Sequence, residues 1–327
     1  MGRHFVNFMN RWTASFVGTA QARRQREAHP ADRRFYLILK AVGIGVIVLL
    51  FALLSLVFLS AQPALHHFGL GFFSESEWDP YRERFGALSF IYGTVVSSFI
   101  ALLLSLPVSI AVALFLKELA PPWVRRILGF FVEMLAAIPS VVFGLWGVFV
   151  LAPWLRTTVQ PFIGQKFGFI PLFSGPPYGV GMLAAGIILA IMITPTIAAI
   201  CREVFETLPR SLKEAALSLG ATKWEMLSLA ILKNSVVGII AAATLGLGRA
   251  LGETMAVTMV IGNRAEIKAS LFAPAQTMAS VIANEYAEAS NDLHLSALAA
   301  VGLALFLVSF LVNSIARLII WRLQRRT

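Results

Sequence analysis

Six runs of this 327-residue chain are almost wholly apolar: roughly 37–60, 92–116, 127–151, 181–200, 236–262 and 294–321. A helix rises about 1.5 Å per residue, so about 20 apolar residues cross a hydrocarbon core of about 30 Å. In that medium every backbone N–H and C=O must be paired within the protein, which restricts spanning structures to helices and closed barrels. Barrel strands read as short alternating segments, and this sequence shows none. The chain is therefore read as all-α and integral to a membrane, with six transmembrane helices. Composition agrees: 58% of residues are hydrophobic and 13% charged, against about 45–50% and about 25% in soluble domains.

The formal charge of +10 raises the question of nucleic acid, and its distribution answers it. Segments 1–40, 117–126, 201–235 and 317–327 carry eight, three, five and four Lys or Arg, whereas the alternate loops 61–91, 152–177 and 263–293 carry two each. That asymmetry is the positive-inside pattern. It predicts that both termini and the 201–235 loop are cytoplasmic. The basic charge then serves topology and attraction to anionic membrane lipids, and no nucleic acid is expected as a partner. No signal-peptide core with a small-residue cleavage site is legible, so the first span is expected to be retained.

The organisation follows from these spans. Residues 1–36 form a basic N-terminal segment, 37–60 the first transmembrane helix, 92–321 a core and 322–327 a tail. Within 1–36, Phe5, Phe8, Met9, Trp12 and Phe16 recur at helical spacing. This segment is either an amphipathic helix on the inner leaflet or a basic, partly disordered terminus. Loop 61–91 is external and polar. Loop 152–177 is external and expected to be turn-rich, because it is rich in Gly and Pro. Pro107, Pro139 and Pro195 fall within spans two, three and four, where Pro kinks a helix. Thr194 and Thr196 flank Pro195 and bond to their own helix or face a pathway. Glu133 reads as an interfacial or helix-pairing carboxylate.

Several chemistries find no support. No G-x-x-x-x-G-K-[ST] occurs, so the chain is not expected to bind ATP through a P-loop. Cys201 is the only cysteine, and His4, His29, His66, His67 and His294 form no H-E-x-x-H. No metal, no cofactor and no enzymatic activity of its own are expected.

The internal loop 201–235 carries an ordered signal. Leu212, Ala215, Ala216 and Leu219 make one stripe of a short helix, and Gly220 stops it. Thr222 then opens "TKWE", a capping box for a second helix. The expected form is helix, glycine elbow, helix, lying outside the membrane and suited to a cytoplasmic partner. "EAALSLGA" at 214–221 resembles the EAA loop of ABC importer permeases. The resemblance implies that Glu214, Ala215, Ala216 and Gly220 belong to a coupling helix seated on an ATPase subunit. Lys233 stands where that family usually has Pro.

The sharpest feature is "GLGRALGETMAV" at 246–257. A charge at the bilayer centre costs about 2.5–3.5 kcal/mol on insertion scales. On a continuous helix Arg249 and Glu253, at i and i+4, share a face and partly neutralise each other, although Arg before Glu is the weaker order. Gly248 and Gly252 frame that face as G-x-x-x-G, so close approach of a helix from this chain or a partner is expected. Two readings stand: a polar path on which Arg249 meets an anion, or a structural ion pair between subunits.

With "IGN" at 261–263, this stretch resembles the fifth-span motif of phosphate importer permeases. "AAIPSVVFGLWGVFVLAP" at 136–153 and "ANEYAEA" at 283–289 are similar to the PstC type. Together with the EAA loop the likeness covers most of 90–320. It implies a type I ABC importer permease core in spans two to six, in a bacterial inner membrane, with Arg249, Glu253 and Thr254 lining the substrate pathway. It also implies partners: a second permease subunit of PstA type, two ATPase subunits of PstB type bringing ATP and Mg, and a periplasmic phosphate-binding protein of PstS type. The rivals are a permease for molybdate or sulfate, a secondary anion transporter and a non-transporting scaffold. Secondary transporters often have repeated halves and discontinuous helices, and neither is legible here.

Overall fold

The computed structural model describes residues 30–289 and 291–325. The stretch 5–16, read either as a surface helix or as a basic terminus, lies outside them. The chain divides into two compact units, Met1–Leu56 and Val57–Thr327. The boundary falls inside the first helix, α1, Pro30–Phe68. In the first unit the apolar side chains of α1 are exposed, Leu49 and Leu50 at 59% each, which suits a lipid environment.

Among the described residues six helices are long and apolar enough to cross a membrane. After α1 come α2, Leu88–Leu119; α4, Ser140–Phe167; α5, Met182–Thr207; α7, Lys223–Leu251; and α10, Asp292–Gln324. The shorter helices α3, Pro122–Ala137; α6, Arg210–Ser218; α8, Met255–Val260; and α9, Met278–Glu285 stand between them. A two-stranded antiparallel hairpin, β1 (Trp78–Asp79) with β2 (Arg84–Phe85), precedes α2.

In the second unit α5 is the hub. Its most apolar stretch is 61% buried, whereas those of α2, α4, α7 and α10 are 33% buried. Lipid gives helices no hydrophobic reason to associate, so close packing must hold them together. α2 supplies a ridge of small buried residues at every fourth position: Gly93, Ser97, Ala101, Ser105 and Ser109. Across the α2–α5 contact, a Cβ added to Gly186 would sit 2.5 Å from Ile100 Cγ2. Pro195 lies inside α5, and Ser109 Oγ donates to the Thr194 carbonyl beside it at 3.1 Å. Thr194 Oγ1 bonds back to Ala190 O at 2.7 Å, within its own helix.

A second apolar cluster joins the hairpin, α9 and the start of α10. Glu285 Oε2 accepts from Trp78 Nε1 at 2.8 Å and lies 3.1 Å from His294 Nε2. The His294 ring stacks on Phe85. The quoted motif 283–289 holds Glu285, but its partners Trp78 and His294 come from separate segments that spacing does not connect.

Three sequence expectations are corrected. The apolar run 127–151 is two elements. Ile138, held extended by the following Pro139, ends α3, and α4 starts at Ser140. The third span is therefore Ser140–Phe167. Loop 152–177 is helical as far as Phe167, and only the "IPLFSGPPYG" part is turn-rich. The 201–235 loop shrinks to the elbow, since α5 runs to Thr207 and α7 begins at Lys223.

Candidate functional site

The fifth span is broken. α7 ends at Leu251, Gly252, Glu253 and Thr254 belong to neither helix, and α8 begins at Met255. Arg249 and Glu253 therefore do not share the face of one helix, which corrects the reading from i,i+4 spacing. Apolar composition hid the break, because the run reads through it without a proline. The absence of discontinuous helices, counted above against a secondary transporter, is corrected with it.

Each charge is placed by its own helix end. Arg249 lies in the last turn of α7, beside carbonyls that carry the negative end of the helix dipole. Glu253 sits ahead of α8 and its Oε1 accepts from Ala256 N–H at 3.4 Å, at the positive end. Thr254 Oγ1 turns back to Gly252 O at 3.3 Å, and Thr258 Oγ1 donates to Thr254 O at 2.7 Å. Among the described residues no carboxylate lies within ion-pair distance of Arg249. Its Nη1 donates instead to Thr196 Oγ1 of α5 at 3.3 Å. Thr196 thus joins the site. Sequence spacing could not pair it with a residue 53 positions away.

The face that carries Arg249 is open in this chain. Leu245, Gly248, Arg249, Gly252 and Met255 are all exposed. A Cβ added to Gly248 meets nothing within 4 Å, and one on Gly252 meets only Gly248 O, at 3.8 Å. The expected close helix contact at Gly248 and Gly252 is therefore not made within this chain. Unpaired backbone at membrane depth is tolerated only where protein covers it or a water-filled cavity bathes it.

α8 is pinned on its other side. A Cβ on Gly144 of α4 would lie 2.5 Å from Met259 Sδ and 3.1 Å from Ala256 Cα. α8 is therefore seated on α4 so closely that only hydrogen fits between them.

The elbow matches its sequence signal. α6 ends at Ser218, and Gly220 takes φ +84°, where a Cβ is unfavourable. Thr222 Oγ1 accepts from Glu225 N–H at 3.3 Å, and Glu225 Oε2 accepts from Thr222 N–H at 2.8 Å, closing the capping box. Glu214, Ala215 and Gly220 are exposed and Ala216 is half-buried. Leu219 is 89% and Trp224 69% exposed, an apolar tip uncovered by this chain. Near Lys233, the departure from the family pattern, α7 contains a π turn over Met226–Leu232. Asn234 Nδ2 donates to Ala230 O at 3.0 Å and Leu229 O at 3.3 Å, pairing carbonyls inside that turn.

Residues 106–325 match the family described as "Binding-protein-dependent transport system inner membrane component". The chain belongs to that family. Curated relatives agree over nearly their full lengths. The "Phosphate transport system permease protein PstC" of Mesorhizobium japonicum is 49% identical over 90% of this chain and 92% of its own. The protein of the same name from Pasteurella multocida is 46% identical over 87% and 90%. Methanocaldococcus jannaschii has a "Probable phosphate transport system permease protein PstC" that is 38% identical over 85% and 90%. Two solved structures share the fold. A chain of a bacterial alginate ABC transporter aligns with TM-score 0.59 at 15% identity, over 89% of this chain and 97% of that one. A chain of the inward-facing MetNI methionine ABC transporter aligns with TM-score 0.55 at 17% identity, over 72% and 94%. This family member is thus a multi-pass membrane protein with the type I ABC importer permease fold.

Proposed function

We propose that this chain is the PstC-type permease subunit of an ATP-driven phosphate importer, lining half of the translocation path. One observation carries the reading: at the break in the fifth span, Arg249 is exposed on an uncovered face and held by a neutral hydroxyl. Relatives named as phosphate permeases supply the class of anion. Guanidinium presents fixed donors that suit a phosphate oxygen pair. Glu253, tied to α8, leaves that charge unneutralised in the ground state and limits how tightly an anion is held.

The chain sits in the bacterial inner membrane with both termini and the elbow in the cytoplasm, as the Lys and Arg distribution supports. A PstA-type subunit faces the open side of α7 across the path and forms its other half. Two PstB-type subunits bind ATP and Mg and receive the tip formed by α6, Leu219 and Trp224. A PstS-type binding protein delivers phosphate to the opposite end. Closure of the ATPase pair moves the elbows and exposes the path outward, and Arg249 offers a transient site. The broken helix also suits a secondary transporter, but an exposed, capped elbow has no task there. Competition decides the cargo. Uptake of labelled phosphate should fall with excess unlabelled phosphate and not with equal molybdate or sulfate. Equal displacement by molybdate or sulfate would move the assignment to that oxyanion.

A further inference from the structure

Among the described residues the elbow helix α6 is tied to the rest of the molecule at one side-chain ion pair. None of its residues is buried, and only Lys213 and Ala216 are even half-buried. The Glu214 side chain faces solvent, while Lys213, its neighbour, turns inward. Lys213 Nζ forms an ion pair with Glu118 Oε1, and the two side chains are 19% and 13% exposed. Among the described residues this is the side-chain hydrogen bond that joins α6 to another element.

Glu118 belongs to a node. It lies in the π turn Phe115–Leu119 that ends α2. Arg125 of α3 donates to two carbonyls of that turn, Leu116 O at 2.7 Å and Lys117 O at 2.8 Å. Lys117 Nζ pairs with Glu206 Oε1 at the end of α5, 3.0 Å away. The turn is thus held to α3, α5 and α6 at once. From it α2 and α5 run as a pair through the small-residue ridge and the Ser109–Thr194 bond to Thr196, which holds Arg249. A force applied to α6 has a connected route to the site through this turn.

We propose that Glu118 and Lys213 are positioning residues that couple the elbow to the path, transmitting movement of α6 to the α2–α5 pair. This rests on the reading of α6 as the ATPase contact. The resemblance to the EAA loop points to Glu214, on the outer side of the same helix. The inward pair is separate from it and faces the body of the permease.

The test uses the assembled complex in proteoliposomes. Leu245, 60% exposed and one helical turn from Arg249, is replaced by Cys to report access to the path with a thiol reagent. Cys201, fully buried, adds little background. In the otherwise wild-type complex ATP should change the labelling rate. Lys213→Glu and Glu118→Lys should each reduce that change about tenfold, within the range for residues in direct contact, while the ATPase subunits still co-purify. The double swap Lys213→Glu/Glu118→Lys and the conservative Lys213→Arg should restore it to within about threefold. Single variants that respond to ATP as wild type does, or a swap that stays silent, would overturn the coupling role. Loss of ATPase binding in the singles would make the pair a support for docking and also overturn it. No ATP response in the wild-type complex would instead sink the importer reading on which the inference rests.

Discussion

Arg249 is stabilised before any ligand arrives. The carbonyl end of α7 favours a cation, and Thr196 orients the guanidinium without cancelling its charge. Removing that hydroxyl should therefore leave the charge in place and loosen its aim. Thr196→Val should raise the phosphate concentration for half-maximal uptake by about three- to tenfold, the worth of roughly one hydrogen bond. Thr196→Ser should stay near wild type. Equal behaviour of Val and Ser would show that Thr196 has no hold on the site. Two glycines make a contrasting pair. A Cβ on Gly93 would lie 2.1 Å from the Gln276 carbonyl oxygen, whereas one on Gly248 meets nothing within 4 Å. Gly93→Ala should destabilise the isolated chain by about 1–3 kcal/mol, as overpacking does, read as lost thermal stability in detergent. Gly248→Ala should leave that stability unchanged and show its effect, if a partner covers the face, only in complex assembly. A destabilised Gly248→Ala chain would mean the face is closed within the subunit.

At the scale of elements the elbow is the most clearly written part of the chain. The stop at Gly220 and the box Thr222–Glu225 are local, and local signals survive in a sequence. Thr222→Ala removes a cap worth about 1 kcal/mol. It should lower uptake per molecule while the amount of chain in the membrane is unchanged, and full uptake would show that elbow geometry is not limiting. The breaks were harder to read. Pro139 was visible, but an apolar run on both sides disguised a helix end as a kink within a span. The break at Gly252–Thr254 had no proline at all, so Arg249 and Glu253 looked like an i,i+4 pair. The cause is physical: in a membrane protein hydropathy reports depth, and breaks within the apolar zone leave hydropathy unchanged. The node at Glu118 was illegible for another reason. Its partners Arg125, Glu206 and Lys213 come from three helices and meet only once the chain is folded.

For the whole molecule, the basic loops dictate an orientation that labelling can read. The sole native cysteine, Cys201, is buried, so introduced cysteines can report sidedness. Ser218→Cys on α6 should label only when a membrane-impermeant thiol reagent reaches the cytoplasmic side. Tyr81→Cys, at a position fully exposed on the hairpin turn, should label only from the outside. The reverse pattern would invert the topology and detach the elbow from any cytoplasmic ATPase. The measurement closest to the central claim is uptake of labelled phosphate at low external phosphate, in cells lacking this chain and restored with wild type or Arg249→Gln at matched membrane levels. A charge-assisted contact is worth about 1.5–3 kcal/mol, so uptake with Arg249→Gln should fall about ten- to a hundredfold while the complex still assembles. Equal uptake by both would contradict the account and leave Arg249 as a structural charge.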